Sequence, residues 1–292
     1  MLMAILLLSF STSFSQMAIL SGSDQASQYQ FAEDIVKIVG PDLGIKISNK
    51  STSGASYNFD QLADPTTPYK LAIIQADNLY AMQVMDAMNN TNKTKNLKVV
   101  LPLSDEQIHF VTKASKGLTR LQDLVKKTVA IGTSDQGTYT TANQIKNRSG
   151  IYWSSRNILF EDALKELAMD RIDAFIIVSS APIQKLAISP QGSVDKLALI
   201  PLENFNDWAK YYKADTIRKT DYQWLDNDIP TFSVKSLLVV NEGKLTDEEK
   251  NAVMQLKTGI LNKYDQLKTS GHPEWKEVNL NDWKESDWPM YK

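Results

Sequence analysis

Four polar loops in this chain each follow a short apolar run and precede a helical pattern. They are rich in Ser, Gly, Asn, Gln and Thr, which supply hydroxyl, carboxamide and free backbone N–H groups. In α/β proteins such loops meet at the carboxyl ends of parallel strands, where helix N-termini favour anions. The pattern predicts a site for a small polar or anionic ligand, built from residues 21–23, 51–58, 75–77 and 132–139.

Groups that could perform covalent catalysis or bind a metal are scarce. The two histidines, His109 and His272, lack a metal-ligand spacing, and there is no cysteine to act as nucleophile or ligand. In residues 132–137 the second glycine comes one position too late for the GxSxG motif of hydrolases. We expect His109 to be a hydrogen-bonded structural residue. We therefore expect a protein that is not an enzyme, with no catalytic residue, metal or cofactor.

Composition and length indicate a globular protein with two domains. The chain has 292 residues, which is more than a single core usually supports, and 42% of them are hydrophobic. It carries 32 basic and 34 acidic side chains, so no cationic surface for a polyanion stands out. We expect no nucleic-acid partner.

Residues 1–16 have the pattern of a secretory signal. Residues 1–10 are almost wholly apolar, and residues 13–15 have the small-x-small form of a cleavage site, although no basic residue precedes Lys37. The apolar run is shorter than the roughly 20 residues of a membrane-spanning helix. We expect cleavage near Gln16 and a periplasmic or other extracytoplasmic location. The alternative is a buried first strand.

Strand and helix patterns alternate along most of the chain. Apolar runs at residues 17–20, 45–47, 70–74, 128–131 and 174–178 predict strands, and the segments between them predict helices. This alternation favours an α/β fold with a mostly parallel sheet, because parallel strands need helical crossovers.

We predict two lobes joined by two crossings of the chain, near residues 105 and 203. Lobe 1 would combine residues 17–105 with residues 203–292, and lobe 2 would be residues 106–202, inserted between them. A hinge of two crossings permits the lobes to close around a ligand.

Three further patterns make specific predictions. Apolar positions along residues 246–269 predict one long helix, which Thr246 and Glu249 would begin as a capping box. The tryptophan-rich residues 275–292 would wrap the surface. An inward-facing helical stripe is predicted from Leu79, Met82, Met85 and Met88.

The order of these motifs resembles the TAXI family, the extracytoplasmic solute receptors of one branch of the tripartite ATP-independent (TRAP) transporters. The likeness lies in Leu-Ser-Gly-Ser, Ser-Gly-Ala-Ser, Ala-Ile-Ile-Gln-Ala-Asp and the following motifs, and it covers most of residues 17–200. The matching segments are residues 20–23 with Tyr29 and Ala32, 53–56 with Asn58, 72–77, 101–103, 106–112, 121–124, 129–133, 137–138 with Ala142, 172–175 and Pro182.

This resemblance implies a type II periplasmic binding protein fold and a receptor that closes on a small carboxylated solute. The receptor would pass its solute to membrane transporter subunits, and we expect a monomer. An amino acid such as glutamate, or a C4 or C5 dicarboxylate, is the implied ligand. The implied ligand-binding residues are Ser21, Gly22, Ser23, Tyr29, Ser53, Gly54, Ser56, Asn58, Gln75, Asp77, Thr133, Gln136, Gly137, Thr138 and Pro182.

Other interpretations of these residues stay open. The hydroxyl groups could be helix caps, which is their commonest use. No arginine lies in the four loops, so neutral donors are the expected anion ligands, with Arg120 or Arg156 the arginines available for a clamp. Asp77 would repel an acid but pair with an amine, which favours an amino acid. A sensor or scaffold domain of the same fold, or an α/β enzyme acting on an organic acid, are the alternative functions.

Overall fold

The computed structural model describes residues 16–188 and 196–292, so the predicted signal lies outside the described residues except for Gln16, which begins the first strand. The described residues form a single sheet of ten strands flanked by helices, which confirms the α/β class. The strands are β1 (Gln16–Leu20), β2 (Lys46–Lys50), β3 (Leu71–Gln75), β4 (Leu97–Lys113), β5 (Thr128–Ala130), β6 (Ser154–Arg156), β7 (Ala174–Ser179), β8 (Leu197–Leu199), β9 (Lys213–Ile217) and β10 (Ile229–Asn241).

Eight α-helices lie within the described ranges, and the first is extended by short turns of other helix types. A π-helical turn at Ile35–Val39 continues the first helix, and Thr246 and Glu249 begin the seventh with the predicted capping box. The helices are α1 (Ser27–Asp34), α2 (Ala55–Ala63), α3 (Ala76–Asn89), α4 (Gly137–Ser149), α5 (Phe160–Ala168), α6 (Gln184–Ala187), α7 (Asp247–Asn262) and α8 (Tyr264–Ser270).

The sheet consists of two parallel sets of strands whose carboxyl ends point at each other. Its order is β2-β1-β3-β10-β4-β7-β5-β6. The first set is β1, β2 and β3, and the second is β5, β6 and β7. Because β10 and then β4 and β7 pair antiparallel in turn, the second set runs opposite to the first. The loops that follow both sets therefore meet near the middle of the sheet.

Two long strands, β4 and β10, connect these sets. The carboxyl-terminal part of β10 pairs with β3, and its beginning pairs with β9, while the end of β4 pairs with β7 and β8. Two apolar stretches, residues 98–103 and 108–112, flank Asp105 and Glu106 in the sequence, and the structure joins them in one strand of 17 residues. The register against β10 shifts between Lys235 and Leu237, so Pro102, which has no N–H, lies beside an irregularity in the ladder.

Two helix predictions need correction. Met85 and Met88 are exposed on the outer part of α3, because its buried residues are concentrated in its first turn. The predicted helix over residues 246–269 is interrupted at Lys263, whose Nζ donates to the carbonyl oxygen of Ile38 at 2.7 Å.

The carboxyl-terminal segment is part of the core as well as of the surface. Trp275 is fully buried, with its ring 4.7 Å from that of Phe31 at nearly a right angle. The backbone of Val99 on β4 donates to the carbonyl of Pro289 and accepts from the N–H of Tyr291. The tail thus holds the outer side of β4 in place.

Candidate ligand-binding site

A cavity of about 480 Å3 lies where the loops after the two strand sets meet. Its size is within the usual range for small-molecule sites. The first set contributes the loop after β1, the loop before α2 and the end of β3, and the second contributes the start of α4 and the loop after β7. Its polar lining includes Ser21, Ser23, Asp24, Gln28, Ser53, Gln75, Gln136, Thr138, Ser179 and Ser236.

Two helix N-termini, one from each strand set, reach this cavity without a side-chain cap. In α1 the N-cap position is Ala26, and in α4 it is Gln136, and neither side chain caps its helix. The first backbone N–H groups of α4, those of Gly137 and Thr138, donate to no protein acceptor among the described residues. Free N-terminal amides and the helix dipole together favour an anion.

The N-terminus of α2 is occupied by protein instead. The backbone N–H groups of Ser56 and Tyr57 both donate to the carbonyl oxygen of Asp135, each at 3.1 Å. The hydroxyl of Ser53 donates to a carboxylate oxygen of Asp135 at 2.9 Å. The loop before α4 therefore contacts the loop before α2, and the two sides of the cavity are closed on each other here.

Two glycines lie at this contact. Gly54 has φ of 143°, and a Cβ there would lie 2.9 Å from the Cα of Gln136, so the loop before α4 can approach this closely only because Gly54 has no side chain. At Gly137 a Cβ would lie 1.5 Å from Oε1 of Gln75, so a side chain there would displace the carboxamide of Gln75.

Most of the predicted residues line the cavity. Those that do are Ser21, Gly22, Ser23, Ser53, Gly54, Gln75, Gln136, Gly137 and Thr138.

Ser56 and Asn58 do not line the cavity, because their side chains are buried under the loops. The amide nitrogen of Asn58 donates to the carbonyl oxygens of Ser21 and Ile73, which joins the ends of β1 and β3. Ser56 Oγ lies 3.2 Å from Thr140 Oγ1. These residues position the loops that form the site.

Asp77 is also outside the cavity, wholly buried at the start of α3. Its carboxylate accepts from the hydroxyls of Thr141 at 2.6 Å and Tyr212 at 2.9 Å. Burial raises the pKa of Asp77 in spite of these hydrogen bonds. This placement joins α3 to α4, and the expected pairing of Asp77 with a ligand amine has no support in it.

Tyr29, Thr133 and Pro182 lie close to the site but do not line it. The Tyr29 carbonyl accepts from Asn49, and the Thr133 backbone N–H donates to the side chain of Gln136 at 2.9 Å. Pro182 is exposed, beside a cavity residue.

The two arginines considered as clamps are elsewhere. Arg120 is paired with Asp123, and Arg156 lies 3.6 Å from Glu166. Neither lines the cavity.

The sequence did not predict that residues of α5 and α6 form part of the cavity wall. Leu159, Phe160 and Ile183 make part of it apolar, and Glu161 and Lys185 form an ion pair of 2.6 Å at the cavity. Partial burial raises the pKa of Glu161, but the hydrogen bond and the charge of Lys185, together with a backbone hydrogen bond, more than offset burial, so the pKa is lowered. The strong amphipathic pattern of residues 160–168 indicates a helix with one buried face. Periodicity alone does not show which end of that helix lies at a binding site.

Glu106 is the most unusual residue missed. It lies on β4 where the strand passes between the two sets, and its side chain is fully buried. Its carboxyl group accepts hydrogen bonds from the amide nitrogens of Gln28 and Gln75, both of which line the cavity. Burial raises its pKa to about 8, although these hydrogen bonds oppose the shift.

His109 has the structural role that the sequence predicted. Its Nδ1 lies 3.0 Å from the carbonyl oxygen of Gln107, and its Nε2 lies 2.9 Å from the hydroxyl of Tyr222. Burial lowers its pKa to about 4, so the ring is neutral at pH 7. In the described ranges there is no cluster of three metal-ligating side chains, and no helix is both long and apolar enough to cross a bilayer.

Several solved structures are similar to this one. An amino acid ABC transporter substrate-binding protein from Streptococcus pneumoniae Canada MDR_19A, bound to L-arginine, matches with a TM-score of 0.53 and 13% identity, over 91% of this chain and 95% of that chain. The sulfonate-binding protein SsuA of a putative sulfonate ABC transporter from Methylobacillus flagellatus KT matches with a TM-score of 0.51 and 12% identity, over 94% of this chain and 76% of that chain. A protein from Bordetella bronchiseptica RB50 matches with a TM-score of 0.56 and 15% identity, over 94% of this chain and 79% of that chain.

These likenesses confirm the predicted fold, that of type II periplasmic binding proteins. None of the curated proteins compared with the chain matches it. The model of the NMT1-like family matches residues 19–288, a range that contains the whole cavity lining from Ser21 to Ser236. The chain belongs to the NMT1-like family.

Proposed function

We propose that this protein is an exported receptor that captures a small organic anion between two lobes and delivers it to a membrane transporter. The observation that carries the proposal is the pair of uncapped helix N-termini, α1 and α4, that reach one cavity from opposite strand sets. Their free amides would bind the anionic group, and the surrounding hydroxyl and carboxamide groups would complete its hydrogen bonds.

A carboxylate or sulfonate suits this lining best. The anion-binding part of the cavity holds neutral donors, and the one basic side chain among the described lining residues, Lys185, is already paired with Glu161. Structures of the same fold are described as binding arginine and sulfonate. The apolar wall around Phe160 would cover a short carbon chain.

The lobes would be the two strand sets with their helices, and the hinge would be the middle of β4 and β10. In this arrangement the return crossing would be near Ser233, where β10 leaves β9 and joins β3, instead of near residue 203. A TRAP-type membrane partner, an extracytoplasmic location and a monomeric state complete the proposal, on the resemblance stated above.

A thermal-shift screen of ligand-stripped protein tests this function. The panel should contain carboxylates, dicarboxylates, amino acids and sulfonates, with uncharged amides and alcohols of equal size as controls. A ligand at 100 times its dissociation constant should stabilise the protein by about 2.7 kcal/mol. Stabilisation by none of the acids, together with chemical conversion of any of them, would reject the receptor in favour of an enzyme.

A further inference from the structure

The surroundings of Glu106 contain amide donors but no cation. Gln28 on α1 and Gln75 on β3 direct their NH2 groups to its two carboxyl oxygens. From β10 it is approached by Ser236, and from the turn Pro273–Lys276 by Glu274, a second acid. No basic side chain within the described ranges forms an ion pair with Glu106, so a charge on it is not neutralised.

The remaining charged groups nearby either lie beside Glu274 or lie on the opposite face of the strands. His272 Nδ1 is 4.0 Å from Glu274, and Ser27 Oγ donates to the same carboxylate at 2.6 Å. Successive side chains on a strand point to opposite faces. Asp105 therefore points away from Glu106, and it pairs with Lys235 at 2.8 Å.

The protonation of Glu106 decides what the two glutamines offer to the cavity. A carboxylate accepts from both NH2 groups, which directs each carboxamide oxygen away from Glu106. In this arrangement Oε1 of Gln75 is buried without a hydrogen-bond partner, next to Gly137 at the start of α4. A protonated carboxyl group must donate its O–H, and the carboxamide that accepts it turns its NH2 group away from Glu106.

We propose that Glu106 is a positioning residue that makes anion capture depend on its proton. With the proton, one glutamine is free to present a donor beside the amides of α1 and α4. Without it, both glutamines present acceptor oxygens, and a buried negative charge lies behind them. This inference rests on the proposed function, and it gives the site a selectivity that changes with pH: anions are bound in the protonated form and repelled in the ionised form.

Two measurements test this inference, and the first needs no ligand. An infrared titration of the wild type should show the carbonyl band of a protonated buried carboxyl group at pH 6.5, lost near pH 8. Glu106→Gln should lack the component of this band that is lost near pH 8, and Asp105→Asn, which changes the neighbouring acid on the opposite face, should keep it. Any component from Asp77, whose pKa burial also raises, is common to all three proteins. If the wild type has no component that is lost near pH 8, or if that component survives in Glu106→Gln, the inference is rejected.

The second measurement is calorimetric titration with propionate, glutarate and ethanesulfonate between pH 7 and 9.5, where none of them changes its charge. With a pKa of about 8, wild-type dissociation constants should rise about 30-fold over this range. Glu106→Gln should bind with a nearly flat pH profile, and Asp105→Asn should follow the wild type. A flat wild-type profile with measurable binding rejects this inference and leaves the proposed function intact, whereas no binding of any acid at any pH rejects both.

Discussion

Glu106 also predicts how stability changes with pH. Its pKa is about 8 in the folded protein and near 4.5 when unfolded, so between these values the folded state holds a proton that the unfolded state has lost. Stability is then greatest below pH 4.5 as far as this group is concerned, and it falls by about 1.4 kcal/mol per pH unit up to pH 8. Glu106→Gln should remove this loss.

Urea unfolding of both proteins at pH 5, 6, 7 and 8 measures this effect. The advantage of Glu106→Gln over the wild type should grow from pH 5 to pH 8. An advantage that is constant with pH would show that the folded carboxyl group ionises normally, because a purely steric effect has no pH dependence.

Gly137→Ala tests the contact across the cavity. The new methyl group would overlap the side chain of Gln75, which Glu106 holds in place, so either the glutamine must move or α4 must retreat from β3. Overpacking of this kind costs about 1–3 kcal/mol, and we expect at least a tenfold loss of affinity for whichever acid the screen identifies.

A matched control is Gly44→Ala, since a Cβ there has open space except for one contact at 3.7 Å. Calorimetric titration of both variants separates the outcomes. Equal affinities in Gly137→Ala, Gly44→Ala and the wild type would mean that the cavity does not need this close approach to bind its ligand.

At this scale the sequence predicts residue types better than side-chain directions. The positions of Ser21, Ser23 and Gln75 were predictable, because polar residues at the carboxyl ends of parallel strands lie along the same edge of the sheet. Asn58 and Asp77 occur in the same loops, but their side chains satisfy buried hydrogen bonds. Glu106 was hidden within an apolar strand, where its exposure cannot be inferred from one sequence.

The contact between α2 and α4, which holds the loops of the cavity together, can be tested by cross-linking the two helices. Ser56 Oγ and Thr140 Oγ1 are 3.2 Å apart, and both are attached directly to Cβ, so cysteines at the two positions can form a disulfide of about 2.0 Å with small adjustment. The natural chain has no cysteine to compete. We expect Ser56→Cys/Thr140→Cys to cross-link in its closed form and to release a trapped acid more slowly.

Free-thiol counts and ligand release rates before and after reduction measure the outcome. Ser56→Cys alone is the control for loss of the hydroxyl. Two free thiols that persist in the double variant after oxidation with ligand present would contradict the contact between these helices.

Elements were predictable where local pattern and cap agree. The capping box of α7 and the short strands β1 and β3 follow the sequence closely. The continuity of β4 across Asp105 and Glu106 was not predictable, because its pairing partner β10 lies about 130 residues later in the chain and the pairing tolerates Pro102. The exposed methionines of α3 show that a helical stripe does not by itself tell which face is covered.

For the whole molecule, the α/β class follows from the alternation of elements and the type II fold from the resemblance to the TAXI family, and both are confirmed. The division into lobes 17–105 plus 203–292 and 106–202 stays a prediction. Long-range antiparallel pairing of β4 with β10 determines where the chain turns back, and no local pattern encodes that pairing. The pairing of β9 with β10 favours a later return than the sequence indicated.

A crystal structure of the protein with the tightest-binding acid from the screen would show directly whether the two helix N-termini bind the anion. We expect the anionic group in the cavity, within hydrogen-bond distance of the backbone nitrogens of Ser27 or Gln28 on α1 and of Gly137 or Thr138 on α4. An acid bound outside this cavity, or bound in it with no contact to either helix N-terminus, would contradict the proposed function.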